Sequence, residues 1–130
     1  VSIEVDAKET AGPNDGTIGI ACRATSNNGT YTFEFDQNGD YGIYKYDASG
    51  SPTTLTEGTL SPNTVTQNDI NHIEGICDGD TLTLLLNNQV LAQAQDSDYA
   101  KGGVGIIVNP GSGADTAIDV LFSNFVVKGP

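Results

Sequence analysis

Strict two-residue alternation of apolar and polar side chains constrains this chain more than any other feature. In Val1-Ser2-Ile3-Glu4-Val5-Asp6 every second residue is apolar, the mark of a strand with one buried and one wet face. Ile18, Ile20 and Cys22 alternate with Gly19, Ala21 and Arg23, and Tyr31, Phe33 and Phe35 alternate with Thr32, Glu34 and Asp36. Leu82, Leu84 and Leu86 repeat the pattern, as do Val90, Ala92 and Ala94. Helical periodicity is nearly absent, and only Ser97 to Lys101 is compatible with a helical turn.

Turn dipeptides separate these runs: Asn28-Gly29, Asn38-Gly39, Ser49-Gly50, Asp78-Gly79 and Asn87-Asn88. Asn, Asp and Gly tolerate the positive φ angles of tight hairpins. The pattern predicts strands near 1–7, 16–25, 30–36, 41–47, 53–60, 69–77, 81–87, 89–95, 103–108 and 116–128, with loops over Ala7 to Asp15 and Asn109 to Asp115. About ten short strands with turns at this spacing argue for a two-sheet sandwich, jelly roll or barrel. With no linker and no long repeat, residues 1–130 read as a single all-β domain.

Charge narrows the partners. Seventeen acidic against five basic side chains give a net charge of −12, which repels a phosphate surface and argues against nucleic acid. Only 17% of residues are charged, and Thr, Asn, Asp, Ser and Gly make up the polar bulk, so this is no disordered acidic tail. No apolar run approaches the roughly 20 residues of a membrane span, so membrane insertion is not expected. The chain opens at Val1 without a signal-peptide pattern and contains no Met, and it reads as processed or trimmed.

Several segments together resemble the concanavalin A-like lectin/glucanase superfamily, in its laminin-G-like bacterial branch. They are Gly19-Ile20-Ala21-Cys22-Arg23, Tyr31-Thr32-Phe33-Glu34-Phe35, Ile73-Glu74-Gly75-Ile76-Cys77 and Gly79-Asp80-Thr81-Leu82-Thr83-Leu84. The turn at Asn87-Asn88, Asp96-Ser97-Asp98-Tyr99, Gly103-Val104-Gly105-Ile106 and Val120-Leu121-Phe122-Ser123-Asn124-Phe125 complete the set, in order along the chain. The resemblance implies a concanavalin A-like jelly roll of two curved antiparallel sheets, common in secreted carbohydrate-active or adhesive proteins. Two departures count. The strands that usually precede the segment resembling Val1 to Ala7 are missing, and Ser123 stands where the branch commonly has Asp. In the related glucanases an Asp on the last strand helps bind a structural calcium ion, and Ser123 argues against that site.

Cys22 and Cys77 each extend an inward-facing set. Two inward thiols on neighbouring strands can meet the Cα separation of a disulfide, and two buried free thiols are the cytosolic alternative. The resembling branch tends to carry Cys at both positions, and the disulfide is the expectation, with an extracellular or cell-surface location.

Catalysis finds little support. A retaining glycosidase needs two carboxyl groups about 5–5.5 Å apart, and the glucanases of the superfamily supply them from a Glu-x-Asp-x-x-Glu strand. Glu34-Phe35-Asp36 matches the first half, but Gly39 holds the place of the final Glu. Glu34 and Asp36 therefore read as solvent-facing residues of an alternating strand, and His72 as an outward strand residue with no triad pattern. Asp36-Gln37-Asn38-Gly39-Asp40, with Asp47 beyond, faintly resembles a calcium loop, but Tyr41 replaces the required Gly. Asp78, Asp80, Asp96 and Asp98 read as turn residues. No catalytic residue, cofactor or metal ligand is assigned.

Glycan binding needs exposed aromatic rings with polar groups beside them. No Trp is present. With Ile43 inward, Tyr44 and Tyr46 fall on the outer side of their strand and are the candidate stacking residues. Asn28-Gly29-Thr30 fits a glycosylation sequon, but a hairpin tip explains it more simply. The expected function is a non-catalytic extracellular module binding glycan or another surface component. The alternative is a structural subunit joined through an open sheet edge. The closing run Ala117 to Val127 is long and apolar, with Lys128 and Pro130 only at its very end, so strand addition in trans is expected there.

Overall fold

The computed structural model describes residues 1–111 and 117–129. Ten strands form: β1 (Ser2–Ala11), β2 (Thr17–Thr25), β3 (Gly29–Asp36), β4 (Asp40–Asp47), β5 (Pro52–Thr59), β6 (Ile70–Asp78), β7 (Thr81–Leu86), β8 (Gln89–Gln95), β9 (Gly103–Asn109) and β10 (Asp119–Lys128). They build a back sheet, β10-β1-β6-β7-β8, and a front sheet, β5-β4-β3-β2-β9. Every pairing is antiparallel. This is the jelly-roll β-sandwich that the resemblance implies, one of the architectures the strand and turn spacing allows. The expected loop from Asn109 to Asp115 and the start of the last strand at 116 lie partly outside the described residues.

Alternation puts one side chain in two between the sheets. Ile3, Val5 and Ala7 of β1, Ile73 of β6 and Leu82, Leu84 and Leu86 of β7 are buried against Ile18 and Ile20 of β2, Tyr31, Phe33 and Phe35 of β3 and Ile43 of β4. Gly75 continues the inward row of β6 because the Phe33 ring of the facing sheet fills its place, and a Cβ there would collide with that ring. Cys22 and Cys77 are bonded, with Cα atoms 6.8 Å apart. The geometry corrects the expectation of neighbouring strands. Cys22 lies on β2 of the front sheet and Cys77 on β6 of the back sheet, so the bond ties the two layers together.

The segment Ser97 to Lys101 forms no helical turn. It is pinned in an extended path instead, because Tyr99 N donates to Tyr31 Oη (3.0 Å) and Arg23 Nη1 donates to Tyr99 O (3.0 Å). Cross-sheet packing brings β1 and β6 over β2, and β7 and β8 over β4. The sheets therefore end on the same side in β10 and β9.

Candidate functional site

The outer face of the front sheet carries the expected residues. Phe33 pairs with Ile43, and both point into the core. Their neighbours Thr32, Glu34, Gly42 and Tyr44 therefore face outward, and the pairings Thr30 with Tyr46, Thr32 with Tyr44 and Glu34 with Gly42 align them in rows. Tyr44 leans back over Gly42, where a Cβ would strike its phenol. Gly29, paired with Asp47, is required for a similar reason: its φ is +129°, and a Cβ would meet the Tyr46 carbonyl.

Glu34 and Asp36 lie on this outer face, but they are not solvent-facing. They are 6% and 7% exposed, which corrects the reading from alternation. The cover comes from neighbouring side chains. Thr32 Oγ1 donates to Glu34 Oε2 at 2.6 Å and Tyr46 Oη donates to the same oxygen at 3.4 Å. Asp36 Oδ1 accepts the amides of Asn38 (2.9 Å) and Asp40 (3.0 Å), so that carboxylate clamps the β3–β4 turn. Burial raises the Asp36 pKa.

Two hollows open on the front sheet. One of about 640 Å³ is lined by Thr30, Thr32, Tyr46, Asp47, Ile107 and Asn109 among others. The second, of about 570 Å³, is lined by Asp36, Asp40, Tyr41, Tyr44, Glu57 and neighbours. Tyr44 and Tyr46 are both half-buried. Burial, reinforced by the charges of Glu34 and Glu57, pushes the Tyr44 phenol up to about 12. Burial and Glu34 raise Tyr46 as well. Both rings therefore stay neutral donors at ordinary pH, and among the described residues no Lys or Arg lines either hollow. Sequence reasoning missed Glu57 and the Thr32–Glu34–Tyr46 cluster. The signal was available in Gly42, whose lack of a side chain between two tyrosine-bearing positions marks a place where rings fold over the strand.

The other singled-out residues fall elsewhere. His72 Nδ1 sits 2.7 Å from Asp6 Oδ1 on the outer face of the back sheet. Asp96 and Asp98 hold Lys45 Nζ at 2.8 Å and 2.6 Å. Asp40 Oδ1 accepts from Thr59 Oγ1 at 2.7 Å. Asn28 is exposed in the β2–β3 turn. Among the described residues, no group of three or more His, Cys, Asp and Glu is arranged to hold a metal ion. No described helix is long and apolar enough to cross a membrane.

No family model matches the sequence, and no curated protein matches it. Solved structures do resemble the fold. The carbohydrate-binding module CBM66 from Bacillus subtilis superposes with a TM-score of 0.77 at 21% identity, covering 95% of this chain and 71% of that one. A β-glucanase from Bacillus licheniformis gives 0.61 at 15% identity, covering 88% of this chain and 55% of that one. Sheep galectin-11, in complex with glycerol, gives 0.59 at 9% identity over 96% and 86%. The fold is the concanavalin A-like jelly roll. At these identities the likeness establishes architecture, and function has to be argued from the site.

Proposed function

We propose that the protein is a non-catalytic, extracellular glycan-binding module whose site is the outer face of the front sheet. The observation that carries this reading is the placement of Tyr44 and Tyr46 on one face, each bordering a hollow rimmed by hydroxyl, amide and carboxylate groups. Sugars present apolar C–H faces for a ring and hydroxyls for such rims. Resemblance to a carbohydrate-binding module and a galectin supports the same reading. The inter-sheet disulfide supports an oxidising, extracellular setting.

The front face serves binding rather than hydrolysis. Asp36 is committed to its turn, Glu34 to Thr32 and Tyr46, and Gly39 occupies the position of the second glucanase carboxyl. Binding requires no metal or cofactor. A second partner class is another polypeptide adding a strand at β10, a reading supported by that strand's exposed apolar row.

Affinity electrophoresis through gels containing neutral polysaccharides tests the glycan reading. The protein should be retarded by at least one neutral polymer, and Tyr44→Ala with Tyr46→Ala should release it. Tyr44→Phe, which keeps the ring, should remain retarded. Free migration through every polymer, or equal retardation of the double Ala variant, would overturn the proposal.

A further inference from the structure

The second hollow of the front sheet, of about 570 Å³, is ringed by acid, and among the described residues no cationic side chain lines it. Glu34, Gly42 and Glu57 stand in one row across β3, β4 and β5, because Glu34 pairs with Gly42 and Gly42 with Glu57. Two strand spacings, about 10 Å, separate the backbones of the two acids. Tyr44 folds its phenol over Gly42, so the ring lies between them. Both charges reach it and help to raise its pKa. Asp40 and Thr59 form the next row, and Asp36 lines the hollow from the end of β3.

Asp36 is the least satisfied of these acids. It is 7% exposed. Its Oδ1 accepts the turn amides of Asn38 and Asp40, but among the described residues Oδ2 accepts no hydrogen bond. A nearly buried carboxylate oxygen without a donor carries an uncompensated desolvation cost. The hollow beside it offers a donor a way in.

The front sheet has no cation of its own to send there. Its five strands carry two cationic side chains, Arg23 and Lys45. Arg23 Nη1 donates to the Gly79 carbonyl at 2.7 Å and the Tyr99 carbonyl at 3.0 Å, and Lys45 is held by Asp96 and Asp98. A metal ion fits poorly, because among the described residues no group of three or more His, Cys, Asp and Glu is arranged to hold one. An organic ammonium fits better. It donates three hydrogen bonds to acids that need not converge on a point, and it gains from the face of a tyrosine ring.

Given the glycan reading, on which this depends, we propose that the hollow beside Tyr44 binds the protonated amine of an amino-sugar unit. Glycans bearing free amines are then the preferred ligands of the front face. The sugar body stacks on Tyr44, while its ammonium donates to Asp36 Oδ2 and is neutralised by Glu57 and Asp40. Asp40 Oδ1 accepts from Thr59 Oγ1, which fixes that carboxylate at the rim. The hollow beside Tyr46 has Asp47 as the one acid lining it among the described residues, and it takes the neutral units of the same chain. An N-acetyl group removes the positive charge, so the face separates free from acetylated amino sugars.

Isothermal titration calorimetry with cello-, chitin- and chitosan-hexasaccharides, which share one backbone and differ only in the C2 group, tests the proposal. At mildly acidic pH and moderate salt the chitosan oligomer should bind about tenfold tighter than either of the others. That preference should fade as pH rises through the pKa of the sugar amine. Asp40→Asn with Glu57→Gln should remove most of it. Asp78→Asn with Asp80→Asn deletes the same charge at an exposed turn of the back sheet and should leave it intact. Equal affinity for all three oligomers, a preference that survives Asp40→Asn with Glu57→Gln, or one that falls as far with Asp78→Asn and Asp80→Asn would each overturn the inference. If neutral gels still retard the protein, such a result leaves the glycan reading standing. Free migration through the neutral gels, with no binding of any of the three oligomers, would remove both.

Discussion

Lys45 Nζ reaches across the sandwich to Asp96 Oδ2 at 2.8 Å, joining β4 of the front sheet to the segment that leaves β8 of the back sheet. Asp96 Oδ1 also accepts the Tyr31 phenol and the Asp98 amide. Burial pushes the Asp96 carboxyl up, but Lys45, Tyr31 and the Asp98 amide outweigh it and hold the pKa below the ordinary value. The folded state therefore prefers the ionised form. That stability is present above the unfolded pKa and is lost as pH falls through the folded one. Lys45→Ala should destabilise the fold by about 1–3 kcal/mol, because a largely buried carboxylate loses its charged partner. Urea denaturation at neutral and acid pH measures this, and the deficit should shrink in acid.

Glu9 works in the opposite direction. It is 1% exposed on the inward face of β1, with Gln67 as the one side-chain donor acting on its carboxylate among the described residues and no charged partner to offset burial. Burial raises its pKa, with Asp36 adding to the effect. The folded state prefers the protonated acid, so its contribution is full below the unfolded pKa and is lost as pH rises through the folded value. Glu9→Gln should raise stability at neutral pH and flatten the slope of the melting temperature just above the ordinary carboxyl range. A less stable variant at neutral pH would show that Glu9 has a partner as an anion.

The disulfide closes a separation of 55 residues between the layers. Chain entropy assigns such a loop about 4 kcal/mol. Cys22→Ala with Cys77→Ala should lower the denaturation free energy by that order, because it also removes packing between β2 and β6. Mass spectrometry of unreduced, alkylated protein should find neither thiol modified.

Much of this was legible in the sequence. Alternation located the strands because each buries one face, and Asn-Gly and Asp-Gly located the turns because few other residues accept positive φ. Ile43 alone was enough to set Tyr44 and Tyr46 outward. Alternation could not say which sheet a strand joins, since pairing is decided far along the chain. Cys22 and Cys77 were therefore recognised as inward-facing but taken for neighbours in one sheet. The same limit hid the burial of Glu34 and Asp36. An outward residue is wet only if nothing on the next strand leans over it, and Tyr46 does. The bond from Lys45 to Asp96 spans 51 positions and has no local signature.

Under the proposed glycan reading, the charge of the front face favours neutral over anionic ligands. Asp36, Asp40 and Glu57 line one hollow and Asp47 the other, and among the described residues no Lys or Arg lines them. Uronate-rich or sulfated polysaccharides should be rejected while neutral ones bind, because anionic groups would meet uncompensated carboxylates. Retention by an anionic gel matching that by a neutral one would show that the ligand lies elsewhere. A chelator should leave neutral-glycan retention unchanged, and its loss would reveal a metal requirement.

The central claim is tested most directly by nuclear magnetic resonance titration with oligosaccharides cut from a neutral polysaccharide that retards the protein. The largest shifts should fall on the amides of Thr30, Thr32, Tyr44, Tyr46 and Glu57 and on the ring signals of the two tyrosines. Truncating both rings to Ala should weaken the titration about tenfold or more. Shifts clustered on the back sheet around Asp6 and His72, with the front face silent, would contradict the account.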